Sequence, residues 1–421
     1  MKRKRLAAVL MVLVLAFTMG LAGCSGKSAE KEANSDGQSV QAASEDGKLP
    51  EKFKIGVVIW STVDDLGKAS ADMLNYASDV LGCEMVYNTD ISSPETQITA
   101  TENLIAAGCD AVAICNYSDD ILPKIARICE ENEVYFTLIW RSIADPEVKE
   151  IVESSEFYLG NTCEDEEEIG YRMGKTLYDK GSRNIGVITM EKGDTTADAR
   201  DRGFDKACQE LGMNRISEVR NNTLTAAETT KAVENFLASF PELDGIFITG
   251  GSNTILEGVI QALALHNKTG EVKVACVDFI SDLDKYLEDG AIDAISGGHF
   301  VDPLFSYMLM VNKLAGTPLS DQCETMNLNF VNLTSPEDAV NYYQYVEGES
   351  FPYNEEEIRD MVKYFNPDMT IDKLKEIAGS YSVDDVVARH SAENQADADG
   401  GGQSGTDAGG QTDAGAESDA E

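Results

Sequence analysis

Lys54-Ile55-Gly56-Val57-Val58-Ile59-Trp60 is an unbroken apolar run closed by an indole, and Asn184-Ile185-Gly186-Val187-Ile188-Thr189 echoes it later in the chain. A strand that is apolar at consecutive rather than alternate positions is buried on both faces, as in a parallel sheet sandwiched by helices. Helical periodicity follows the first run at Leu66 to Leu81, then around 95–107 and 119–132, with strands at Glu84–Asn88, Ala111–Cys115 and Val134–Trp140 between. After the second run, strands near 216–220, 244–249 and 272–277 alternate with helices again. Strands spaced by helices mean βαβ units, so the pattern predicts an α/β chain of two similar doubly wound parallel-sheet lobes. A helix at Pro303 to Leu314 and an acidic helical extension at Glu355 to Arg389 complete the folded part.

Working outward, the flanks differ in kind. Lys2 to Arg5 form a basic cluster ahead of the apolar run Leu6 to Leu21, the layout of an export signal. Leu21-Ala22-Gly23-Cys24 resembles the lipobox of bacterial lipoproteins, in which the chain is cut before the cysteine and the thiol takes a lipid. The expectation is an exported lipoprotein anchored through Cys24 to the outer face of the cell membrane. Ser25 to about Leu49 lacks an apolar period and reads as a disordered tether; 391–421 carries Gly, Ala, Asp, Gln and Ser without a basic residue and reads as a disordered acidic tail.

Composition removes several classes. The 421 residues hold 34 Lys+Arg against 74 Asp+Glu, a formal charge of −40, which argues against nucleic acid as a partner. There are 9 Cys, eight once Cys24 is set aside, and several sit inside apolar runs, as Cys115 does; buried free thiols explain most of them better than bridges or zinc. No G-x-G-x-x-G follows the first strand and no G-x-S-x-G occurs, while only 3 His are present. The reading is therefore a binder without cofactor or metal, not an enzyme.

In open parallel sheets ligands sit beyond the carboxyl ends of the strands. Trp60, Ser61, Asp64 and Asp65 follow the first strand, Trp140 and Arg141 follow the fourth, Asp278 ends the run Val272–Val277, and His299 follows Ile295–Gly298. Rings, carboxylates and a guanidinium converging there suit a polyhydroxylated molecule. Asp65 also reads as a helix cap, and each Trp as a core residue.

Ile55-Gly-Val-Val, Gly108-Cys-Asp-Ala-Val112, the arginine after the fourth strand, Gly160-Asn161 opening the second lobe, Asp198-Ala-Arg-Asp-Arg-Gly-Phe204, Asp244-Gly-Ile-Phe247, and Val277-Asp278 with Gly290 beyond it together resemble the sugar-type, type I periplasmic-binding proteins of ABC importers. The resemblance spans roughly 53–335. It implies two lobes joined by a multi-strand hinge: 53–160 with 299–322, and 161–298 with 323–345, followed by an extension at 346–390. It implies ligand contacts from 60–65, Arg141, Arg200, Asp278 and 298–299, with Asn253 added after the glycines. Trp140 stands where many members have Asp, and Thr249-Gly-Gly-Ser-Asn253 replaces a usual amide or acid. It implies a monomer that captures a small polar ligand, most often a sugar, and hands it to an ABC permease; the alternative is a receptor presenting the ligand to a sensor kinase or chemoreceptor.

Overall fold

A computed structural model describes residues 47–390, apart from 222–223, 251–252 and 349. Its strands are β1 (Lys54–Val58), β2 (Glu84–Asn88), β3 (Ala111–Ile114), β4 (Tyr135–Ile139), β5 (Tyr158–Glu164), β6 (Asn184–Thr189), β7 (Asn214–Arg220), β8 (Gly245–Ile248), β9 (Lys273–Val277), β10 (Ala294–Gly297), β11 (Glu324–Leu328) and β12 (Val331–Leu333). They form two six-stranded sheets, ordered β11-β5-β4-β3-β1-β2 and β12-β10-β9-β8-β6-β7. All pairings are parallel except β10 with β12. The expectations for 1–23, Cys24, the tether up to 46 and the tail at 391–421 lie outside the described residues; Leu49, expected at the end of the disordered tether, is instead buried, and its N–H donates to Leu81 O at 3.0 Å.

The apolar runs behave as their periodicity requires. In β1, Ile55 and Val57 join one hydrophobic cluster and Val58 joins the cluster on the other face; β3 splits in the same way, Ala111 and Ala113 against Val112 and Ile114. Each such valine or isoleucine, fully removed from water, contributes roughly 1.5–3 kcal/mol, and both faces of the sheet collect that contribution. Seven of the eight cysteines between Cys83 and Cys323 are buried, and all eight are free thiols. Burial pushes Cys109 up to about 11 and Cys129 up to about 12, so they stay protonated and inert.

Membership of the sheets differs from the sequence expectation at two places. β5 pairs with β4 and β11 along its length to Glu164, so the chain leaves the first sheet after Glu164 and not at Gly160-Asn161. β11, expected in the second lobe, is the edge strand of the first sheet. Parallel pairing of β5 and β11 is a long-range event that no local pattern announces. The chain therefore passes between the sheets three times: after β5, after β10 through the 3₁₀ turn His299–Val301, and from β11 to β12. The helix Asp302–Leu314 then lies on the first sheet, where Ser306 Oγ donates to Leu138 O at 2.8 Å.

The extension is packed rather than appended. Tyr353, Ile358, Leu374 and Tyr381 are buried; Asn312 Nδ2 donates to Met361 O at 3.1 Å, and Tyr381 OH donates to Gly298 O at 2.7 Å. Among the described residues no helix is long and apolar enough to cross a membrane.

Candidate functional site

The turn after β1 is largely self-satisfied. Ser61 Oγ accepts from the N–H of Val63 at 3.1 Å and of Asp64 at 3.3 Å. Asp64 caps the helix Asp65–Leu81 by accepting from Gly67 N–H at 3.0 Å, and its other oxygen accepts from Trp60 Nε1 at 3.0 Å. The cap is thus Asp64, one residue earlier than the sequence suggested, because the helix begins at Asp65. Ser61 and Asp64 build the turn that aims Trp60, and Asp65 is left to face the cavity described below.

The two tryptophans meet. Their ring centroids are 4.9 Å apart at 55°. Trp140 is 4% exposed, its Nε1 donates to His299 O at 3.2 Å and its backbone N–H to Asp302 Oδ1 at 2.9 Å. Its φ is 55°, and Asp278, at the end of β9, has φ 79°. Left-handed backbone on a bulky residue costs about 1–3 kcal/mol and persists only where surroundings over-determine it. One such residue stands at a strand end of each lobe.

The arginines face each other from opposite lobes. Arg141 Nη1 donates to Trp140 O and to Thr196 Oγ1, both at 3.0 Å, so the first lobe touches the helix Thr195–Leu211 of the second. Arg200, 3% exposed on that helix, donates from Nε to Glu166 Oε2 and from Nη1 to Thr249 O, both at 2.6 Å, and lies 3.8 Å from Asp278 Oδ2. Burial opposes its charge, but Glu166 and Asp278 more than offset this and hold it firmly protonated. Two glycines make room. A Cβ on Gly203 would meet Glu167 O at 1.8 Å, so only glycine lets the two helices come this close; a Cβ on Gly250 would lie 2.8 Å from the Arg200 guanidinium. Gly250, just after β8, is where Arg200 passes.

His299 is 5% exposed, with Nε2 3.9 Å from Asp278 Oδ1 and its ring edge-on to Phe330 at 4.7 Å. Burial brings its pKa down to about 4; Asp278 opposes, Arg200 and Arg141 reinforce, so the ring is neutral at pH 7. Its Nδ1 has no partner among the described residues.

Asp65, Asp278, Phe279, His299, Tyr342 and Glu347 line a cavity of ≈ 390 Å³, so both lobes, a crossing and the helix after β12 contribute. That size lies within the range of small-molecule sites. A second cavity, also ≈ 390 Å³, lies between Arg172, the β12 segment and Tyr381–Asp384, and contains none of the residues singled out from sequence. Asn253 begins the helix Asn253–Leu265, and its side chain lies outside what the structure describes. Sequence reasoning missed Glu164, Glu166, Thr196, Thr249 and Asp302; the acidic run Glu164–Glu168 was the available signal, but it reads as a solvated helix start. Among the described residues no group of His, Cys, Asp and Glu is arranged to hold a metal.

A model of the periplasmic binding protein domain matches residues 55–306. The chain is 25% identical over 258 residues to a D-ribose/D-allose-binding protein of Pseudomonas aeruginosa, covering 58% of this chain and 76% of the relative. It is 21% identical over 251 residues to a xylitol-binding protein of Mycolicibacterium smegmatis, covering 59% and 66%. Among solved structures it shares its fold with an ABC transporter solute-binding protein from Agrobacterium vitis bound to α-D-tagatopyranose (TM-score 0.58, 17% identity, 68% of this chain and 96% of that one). A periplasmic solute-binding protein from Actinobacillus succinogenes with bound D-allose is similar at TM-score 0.59 and 16% identity, over 69% of this chain and 100% of that one. With two mostly parallel sheets, three crossings and a cavity shared by both lobes, the chain belongs to the periplasmic-binding-protein family, whose members bind solutes and are not enzymes.

Proposed function

We propose that the chain is a lipid-anchored solute-binding protein that takes a monosaccharide or sugar alcohol between its lobes and delivers it to an ABC permease. The observation that carries this reading is the cavity floor, where Asp278 stands between the Arg200 guanidinium and the neutral His299 imidazole. Such a carboxylate, with its charge balanced and its geometry held, accepts hydrogen bonds from vicinal hydroxyls, while the partly exposed ring of Phe279 offers an apolar face to sugar C–H groups. The relatives named for ribose, allose and xylitol support the same class. Anchoring rests on the lipobox ending at Cys24, and delivery to a permease on the family.

Because ligand contacts come from both lobes, bound sugar favours the closed arrangement by its differential affinity for it. A thermal-shift screen of pentoses, hexoses, sugar alcohols and acid sugars tests the class, since a ligand at 100 times its Kd adds about 2.7 kcal/mol. Asp278→Asn, which keeps shape and removes charge, should weaken the responding sugar by about 1.5–3 kcal/mol in calorimetry. No response from any neutral sugar, or an unchanged Kd in the variant, would remove this reading. Radiolabelling with palmitate, lost in Cys24→Ala, tests the anchor.

A further inference from the structure

Beneath the indole pair lies a second acidic feature that the ligand reading does not use. Glu164 ends β5 at the first crossing and Asp302 opens the helix after the second; they are 6% and 0% exposed. Asp302 Oδ1 accepts the Trp140 N–H at 2.9 Å. Both oxygens of Glu164 and Oδ2 of Asp302 receive no hydrogen bond from any described residue, and neither carboxyl has an ion-pair partner among them. Two neighbouring buried carboxyls of this kind cannot both ionise, because each pays full desolvation and repels the other.

We propose that Glu164 keeps a proton at neutral pH and directs it to Asp302, and that this pair acts as a set of positioning residues holding Trp140 against Trp60. The surrounding charges favour that division. Glu164 faces Glu166 and Arg200 on the second-lobe helices, and Glu166 is already engaged by Arg200. Asp302 faces Arg141 beyond β4 and the neutral thiol of Cys115 beyond β3; Cys163, on Glu164's own strand, is also protonated. His299, three residues before Asp302, is neutral. Glu166 thus opposes an anion on Glu164 and Arg141 favours one on Asp302, where it also holds the Trp140 N–H in its left-handed conformation. Burial, together with the charge of the partner, raises Glu164 well above the carboxylic range, and burial does the same to Asp302. Losing the proton leaves two buried anions side by side at the point where crossings meet, and Trp140 gives way first because Asp302 is the acceptor of its backbone N–H.

The relevance to ligand rests on the indole pair belonging to the ligand cleft, so the test uses the full chain with no sugar, and fails or succeeds separately from the sugar reading. The chain has only 2 Trp, so its emission reports this pair alone. As pH rises above neutral, tryptophan emission should step, while the infrared band of a protonated carboxyl present at neutral pH disappears in parallel. Glu164→Gln, whose amide donates to Asp302 permanently, should lose both the band and the step and keep the neutral-pH emission throughout. Asp302→Asn, which retains a carbonyl for Trp140, should also abolish the step. A wild-type chain with no such band at neutral pH, or an identical emission step in either variant, overturns the proposal.

Discussion

His299 shows how far burial alone can move one side chain. An unfolded imidazole titrates near 6.5, whereas in the fold this one titrates at about 4 because burial disfavours its charge. Between these values the unfolded chain binds the extra proton, so stability rises with pH from about 4 to about 6.5 and is level above. The difference corresponds to roughly 3 kcal/mol lost on acidification. Urea denaturation across that range should show this slope in the native chain and a flatter one in His299→Asn; equal slopes would mean that the imidazole stays solvated. Arg200 illustrates the opposite balance, since its burial is offset by Glu166 and Asp278. Removing the guanidinium in Arg200→Ala leaves the half-buried Glu166 carboxylate without this partner and should cost about 2–4 kcal/mol in the same measurement.

At the scale of elements, the carboxyl ends of β4 and β9 each carry a left-handed residue. Trp140 holds φ 55° through two hydrogen bonds to the second crossing. Trp140→Ala and Trp140→Gly both lose the indole, at a cost of about 3–5 kcal/mol. Glycine adopts the left-handed region freely, so Trp140→Gly should be the more stable of the two by about 1 kcal/mol. Equal midpoints in chemical denaturation would mean that the backbone relaxes once the ring is gone. β1, β3 and β6 were readable from local sequence because each face of these strands meets its own cluster, which writes apolar residues at every position. The helix cap was readable to within one residue: Asp64 and Asp65 are chemically interchangeable caps, and only the turn at Ser61 decides between them.

Over the whole molecule, the second and third crossings are tied by side chains rather than left as free linkers. Arg200 lies 5.6 Å over the ring of Phe330 between β11 and β12, His299 packs on the same ring, and Tyr381 of the extension bonds Gly298. The extension at 346–390 therefore braces the second crossing, and its acidic helical pattern on paper conceals the buried tyrosines that do so. Tyr381→Phe removes one buried hydrogen bond and should lower stability by about 0.5–1.5 kcal/mol. It should also raise amide exchange at 297–302 above that of the sheets, and uniform exchange would mean the brace has no local effect.

Local order along the chain determined the twin α/β lobes, the buried thiols and the strand ends where Trp60, Trp140, Asp278 and His299 stand. These follow from periodicity and from the rule that places ligands beyond parallel strands, both properties of neighbouring residues. The tertiary structure alone decided that β11 joins the first sheet, that the indoles touch, that Glu166 serves Arg200 and that Glu164 meets Asp302. Each of these pairs residues distant in the chain or sets the dielectric around them. An acidic run such as Glu164–Glu168 has the same appearance in sequence whether water or protein surrounds it; only the packed fold assigns Glu164 to the interior and Glu167 to solvent.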